Sequence, residues 1–152
     1  MKKVLLINTN TERNPYPVAP LGIGMVAEAL RNHYEVRVFD RVFNSAEILM
    51  EMIPQYSPDY IGFGIRNIDD VMMSNVTYYI PDIVSLIRKV REITAVPLIL
   101  GGSGYSLFPN EILKDSGADY GIIGEGEEVL LSLLEALDNK TPIPVLSQLV
   151  TR

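Results

Sequence analysis

The sequence predicts an α/β domain built on a doubly wound, five-stranded parallel sheet. Short apolar runs alternate with amphipathic stripes of helical period. The runs are rich in Val, Leu and Ile, as expected of strands buried on both faces. Their spacings suit helical crossovers, which are right-handed and force neighbouring strands to be parallel. At 152 residues, 47% apolar and 21% charged, the chain has the size and make-up of one globular domain with a real core.

The elements follow in order. Lys3 to Asn8 reads as a first, fully buried strand, followed by the polar, proline-bearing loop "TNTERNPYPVAP". "LGIGMVAEALRNH" sets Leu21, Met25 and Ala29 beside Val26 and Leu30, a helical stripe. "YEVRVFD" alternates apolar and polar residues, which suits an edge strand ending near Asp40. Ser45 is an N-cap for "AEILMEMIPQY", the second helix. "DYIGFGI" is a third strand whose glycines mark close packing, and a long connection, "RNIDDVMMSNVTYY", leads to the third helix "IPDIVSLIRKVREI". "VPLILG" is the fourth strand, "PNEILKDSG" a short helix closed by Gly117, and Asp119 to Ile123 the fifth strand. "EEVLLSLLEAL" is the last helix, with Glu127 and Glu128 in the N-terminal turn that favours carboxylates. The proline-broken segment from Asp138 to Arg152 reads as extended. The expected strand order is flavodoxin-like (Rossmann-like), 2-1-3-4-5, with ligands bound at the carboxyl ends of the strands.

A net charge of −6 argues against a nucleic-acid surface, and the basic cluster "RKVRE" (Arg88 to Glu92) reads as a solvated helix face. No apolar run approaches the ~18 residues of a membrane span. The start, "MKKVLLINTN", has too short an apolar part for a secretion signal and lacks a cleavage site, so it reads as strand. The absence of cysteine excludes disulfides, thiolate zinc sites and iron–sulfur clusters within this sequence, and a cytoplasmic location is the default expectation.

Four loops share the carboxyl rim of such a sheet: Thr9-Asn10-Thr11, Arg66 to Asp70, Gly101-Gly102-Ser103-Gly104 and Gly124-Glu125-Gly126-Glu127. Small and amide residues converge there, with Arg66 the single cation in these segments. That composition suits a broad, mostly uncharged ligand met largely by backbone. A phosphate-binding G-x-x-x-x-G-K-[ST] loop is absent, and the first loop lacks the dinucleotide G-x-G-x-x-G. Gly22 and Gly24 fit close helix–strand packing instead. A receiver domain wants an acidic pair after strand one and an Asp where Arg66 stands, and a flavodoxin's hydroxyl-rich phosphate loop is matched only loosely by "NTNTERN". The single histidine, His33, suits a helix C-terminus. Asp69-Asp70 could bind a cation but read first as acids that cap the next segment or face solvent, Glu125 and Glu127 read as helix-start carboxylates or ligand contacts, and the methionines as filler. No complete catalytic constellation is present.

The segments "PLGIGMVAEALRNHYEVRVFD", "PDYIGFGIRNIDD", "PLILGGSGYSLFPNEIL" and "ADYGIIGEGEE", in that order, resemble the N-terminal cobalamin (B12)-binding domain of B12-dependent radical S-adenosylmethionine proteins. The resemblance covers roughly Lys3 to Leu137, making residues 1–140 the cobalamin domain and 141–152 a connector toward a C-terminal radical SAM domain. It implies a cofactor-binding set of Thr9, Asn10, Ile65, Arg66, Asn67, Gly101, Gly102, Ser103, Gly104, Gly124, Glu125, Gly126 and Glu127. Gly101-Gly102-Ser103 would line the slot for the nucleotide tail, where a side chain at Gly101 or Gly102 would fill the space. Gly124 to Glu127 would close its other side, and Arg66-Asn67 with Thr9-Asn10 would face the corrin. The D-x-H-x-x-G motif of methionine synthase and the mutases is missing, so no protein histidine would ligate cobalt. The C-x-x-x-C-x-x-C cluster motif is also missing, so S-adenosylmethionine and a 4Fe–4S cluster would belong to another domain and this chain alone would not be catalytic. A methyltransferase-like parent reaction is implied. A flavin- or nucleotide-binding protein and a pure interaction domain stay open as alternatives.

Overall fold

The structure is a computed structural model that describes every residue except Val71, which lies within the predicted long connection after the third strand. The strands are β1 (Lys3–Asn8), β2 (Glu35–Asp40), β3 (Tyr60–Gly64), β4 (Leu98–Gly101), β5 (Tyr120–Ile122) and β6 (Leu149–Thr151). The helices are α1 (Leu21–Leu30), α2 (Ala46–Tyr56), α3 (Ile80–Ile93), α4 (Pro109–Ser116) and α5 (Glu127–Asn139), with one 3-10 turn at Tyr105–Leu107. The sheet order is β2-β1-β3-β4-β5-β6. Its first five strands are parallel in the predicted order, and β6 is added antiparallel to β5. Prolines at 142 and 144 and the three-residue length hide β6 in the sequence; what makes it a strand is the open edge of β5.

Strand alternation divides the core. Leu5, Ile7, Ile61, Phe63, Leu98 and Leu100 face one way, against Leu49 and Ile53 of α2, Ile83, Ile87 and Val90 of α3, and Ile112 of α4. Val4, Leu6, Tyr60, Ile99 and Ile122 face the other way, against Leu30 of α1 and Val129, Leu130, Leu133 and Leu134 of α5. Local signals end the helices as expected. Ser45 Oγ accepts from Ile48 N, and Gly117 closes α4 in the left-handed region at φ 73°. Among the described residues no helix is long and apolar enough to cross a membrane.

Candidate functional site

The chain reverses its winding between β1 and β3, so their carboxyl ends open a crevice where doubly wound sheets bind ligands. Asp40, Asn8, Gly64 and Gly101 stand in register across β2, β1, β3 and β4 at that edge. Asn8 Nδ2 donates to Asp40 (2.9 Å), and Thr9 Oγ1 donates to the Gly64 carbonyl (2.8 Å). Asn10 Oδ1 accepts from Glu12 N (3.1 Å). All three side chains are buried. Thr9 and Asn10 therefore spend these polar groups holding the first loop to β3 and turning it.

The loops after β3, β4 and β5 are joined in the same way, by hydroxyls. Ser103 Oγ donates to the Arg66 carbonyl (3.1 Å). Ile65 N–H donates to Gly101 O (2.8 Å), and the Ile65 carbonyl accepts from Gly104 N (2.9 Å) and Tyr105 N (3.3 Å). This close approach explains two glycines. A Cβ on Gly102 would lie 2.5 Å from the Ile65 carbonyl oxygen, and its φ of +103° is in the left-handed region; a Cβ on Gly104 would lie 2.9 Å from the Arg66 carbonyl oxygen. The room that Gly102 makes is thus taken by β3 backbone. Ser106 Oγ donates to Gly102 O (2.9 Å) and accepts from Gly124 N (2.9 Å), which ties the β4 loop to the β5 loop. Beside it the hydroxyl end of the buried Tyr105 ring abuts Gly121 of β5, where a Cβ would collide with it. The Tyr105 hydroxyl has no partner, and burial pushes its pKa up to about 12.

Gly101 is different. It points to the α1/α5 side, and a Cβ there would meet only the Ile122 carbonyl, at 3.9 Å. Around it the surface is bare. Gly22 and Gly24 in the first turn of α1 have nothing within 4 Å, and Gly126 at the start of α5 has only Ile122 and Val26, both at 3.8 Å. Neither helix start carries a side-chain cap. Gly64, the neighbour of Gly101 in the sheet, is covered by Ile23 of α1, whose Cδ1 lies 2.6 Å from where a Cβ would be. At Gly101, beside the Gly64 that Ile23 covers, the sheet is therefore left without a covering side chain on its α1/α5 side.

Several charged side chains at this edge are spent on local bonds, as with Arg13 on the Val42 carbonyl and Arg41 on Asp82. Arg66 is exposed, with its guanidinium paired to nothing among the described residues. Asp70 Oδ1 accepts from Met72 N (3.2 Å), closing a local turn two residues on. Burial opposes the Asp70 charge, yet the surrounding N–H donors hold its carboxyl below the usual value. Glu12 accepts from Asn14 N (2.7 Å) and from Tyr79 OH (2.8 Å), linking the first and third loops, and these bonds lower its pKa. His33 sits past the C-terminus of α1, 3.8 Å from Glu135, at the amino end of the sheet. No group of three or more His, Cys, Asp or Glu suited to a metal occurs among the described residues. A cleft at that amino end gathers Arg88, Arg91, Lys114 and Arg152. There Arg88 donates to the Asp115 carbonyl and Arg91 pairs with Asp119, so both serve the end of α4 and the start of β5.

The structure thus brings the loops bearing Thr9, Asn10, Ile65, Arg66, Asn67, Gly101 to Gly104 and Gly124 to Glu127 to one edge. Sequence reasoning marked Gly64 among the close-packed glycines of the third strand, as its cover by Ile23 bears out, but it missed Ser106 and Tyr105 and read Ile23 only as part of the first helix. An aromatic one position beyond a glycine run and a hydroxyl two positions beyond it carry no signal until Gly121 and Gly124 are seen to lie beside them.

Residues 9–134 match the family described as the B12 binding domain. Over 138 residues the chain is 30% identical to tryptophan 2-C-methyltransferase of Streptomyces laurentii, which spans 88% of this chain and 23% of that relative. It superposes on the radical S-adenosylmethionine methyltransferase TsrM of Kitasatospora setae, solved with cobalamin and a [4Fe-4S] cluster bound, at a TM-score of 0.88. The identity is 29%, covering 99% of this chain and 27% of TsrM. The cobalamin-dependent radical enzyme OxsB, solved with aqua-cobalamin and S-adenosylmethionine, shares the fold at a TM-score of 0.77 and 20% identity, covering 98% of this chain and 20% of OxsB. The chain spans about a quarter of the length of these relatives. With the match covering most of its length and the topology agreeing, this chain belongs to the B12-binding domain family.

Proposed function

We propose that this chain is a cobalamin-binding module that positions the cofactor at the carboxyl edge of the sheet and leaves catalysis to another domain. The observation that carries this reading is the open space over Gly101 on the α1/α5 side of the sheet. A flat nucleotide tail needs bare backbone to lie against, and Gly101 supplies it there. The rim loops, with Thr9-Asn10, Ile65-Arg66-Asn67 and Gly124 to Glu127, would then face the corrin and the flank of the slot. The stitching by Thr9 and Ser103 gives the cofactor a rim already held in place, so less ordering is needed on binding.

Bound cobalamin would supply a cobalt centre able to carry a methyl group. This chain's residues would bind and orient it without an imidazole on the metal, since His33 lies at the far end of α1. S-adenosylmethionine and a 4Fe–4S cluster, present in the solved relatives, would be held by a radical SAM domain outside this sequence, with 1–140 as the module and 141–152 as its connector. A methyl transfer is the parent reaction that the relatives support.

The test is titration with hydroxocobalamin, followed by the visible spectrum and by calorimetry. Saturable binding at micromolar concentrations is expected, and its absence from folded protein would overturn the reading. Gly101→Phe places a ring in the opening without touching β3 backbone. It is expected to abolish binding with the thermal midpoint unchanged, and retained affinity would remove the slot from this position.

A further inference from the structure

We infer that Ser106 is a positioning residue of the cobalamin site, setting the distance between the loop after β4 and the loop after β5. The inference rests on the cobalamin reading above and deepens it. Strand pairing between β4 and β5 is short, with Ile99 opposite Tyr120 and Leu100 opposite Gly121. Beyond that the two chains part, and the Ser106 hydroxyl alone spans them by a side-chain hydrogen bond among the described residues. It uses its proton on Gly102 O and a lone pair on Gly124 N–H, so both of its hydrogen-bonding roles serve the bridge.

The two residues that it joins are both left-handed glycines, with φ of +103° and +76°. Their conformations are set by what holds them rather than by side-chain sterics. The preceding residue makes the bridge rigid. Tyr105 sets the hydroxyl end of its ring against Gly121, three positions before Gly124, so the 3-10 turn is fixed at two points, one on β5 and one on the loop after it. The sheet and both core layers persist without this bridge, because strand register and the apolar clusters are formed elsewhere. What depends on it is the spacing of the loops that would flank the nucleotide tail. Ser106 also closes the gap between Gly102 and Gly124, leaving the opening over Gly101 as the way in.

The experiment compares hydroxocobalamin with cobinamide, the same corrin without the nucleotide tail, on the wild type, Ser106→Ala and Ser106→Thr. Wild type is expected to prefer the tailed ligand. Ser106→Ala is expected to lose roughly tenfold of that preference, the scale of one or two hydrogen bonds, with cobinamide affinity little changed. Ser106→Thr keeps the hydroxyl and is expected to restore the preference. Parallel weakening toward both ligands, tracking a lower thermal midpoint, would make Ser106 a fold-holding residue and overturn the inference. Equal affinity of wild type for the two ligands would overturn it too while leaving cobalamin binding intact. Failure of wild type to bind either ligand would overturn the proposed function itself and the inference with it.

Discussion

Gly101 and Gly102 are neighbours under opposite constraints. At Gly102 the backbone of Ile65 stands 2.5 Å from any added Cβ, and φ is +103°. At Gly101 the nearest atom is 3.9 Å away. Gly102→Ala is therefore expected to cost about 1–3 kcal/mol of stability, as strain and overpacking do, while Gly101→Ala leaves stability within about half a kcal/mol; urea unfolding of the pair measures this. Tyr105 offers a second contrast. Phe at position 105 removes a buried hydroxyl that has no partner and keeps the ring, so Tyr105→Phe is expected to hold or raise stability by about 1 kcal/mol. Gly121→Ala drives a methyl into that ring and is expected to destabilise by about 1–3 kcal/mol. The sequence marks Gly101 to Gly104 and Gly124 as special because glycine density is local information. It cannot say which glycine faces open space and which faces Ile65, because that depends on a segment some 40 residues away.

Among the elements, α1 and α5 frame the candidate site at one end and are fastened together at the other. The Asp138 carboxylate at the end of α5 accepts from Lys2 Nζ (2.5 Å), from Tyr34 OH (2.7 Å) and from Tyr60 OH. Burial works against its charge, yet these donors outweigh it and hold the Asp138 pKa below the ordinary value. The sign follows from linkage. A lowered folded-state pKa means that the bonds stabilise fully above the unfolded value, near pH 4, and that this contribution is lost as pH falls through the folded value. Asp138→Asn is expected to lose about 1–2 kcal/mol at pH 7, after allowing for partial exposure, with the deficit shrinking below about pH 4; chemical unfolding at several pH values checks it. The helices themselves were readable from period and caps. The clamp was not, since Lys2, Tyr34, Tyr60 and Asp138 are scattered through the sequence as an opening lysine, two core tyrosines and a surface acid.

At the scale of the whole molecule, alternation of strand and helix was enough to predict the parallel order of the first five strands. The sixth strand escaped because three residues after two prolines carry no period. It is nevertheless bound along its length: Ile123 N donates to Gln148 O (2.8 Å), and Arg152 N to Asp119 O (3.3 Å). Removal of residues 141–152 is expected to leave the other five strands paired but to lower the urea midpoint, because it uncovers Ile122 and the edge of β5. Circular dichroism on the shortened chain tests both halves of that statement.

The direction of β6 also has a bearing on how this module is wired to anything joined after it. Leu149 lies opposite Ile122 and Thr151 opposite Tyr120, so the chain climbs to the carboxyl edge and then runs back down. Arg152 is left near Gly117 and Asp119, at the floor of the sheet. A polypeptide continuing from there sets out from the pole opposite the glycine opening. To reach the carboxyl edge it must first travel the height of the sheet, about 20 Å or some six extended residues. Fusions that shorten this return path below that reach would keep a covering domain away from the cofactor, whatever the affinity of the two surfaces.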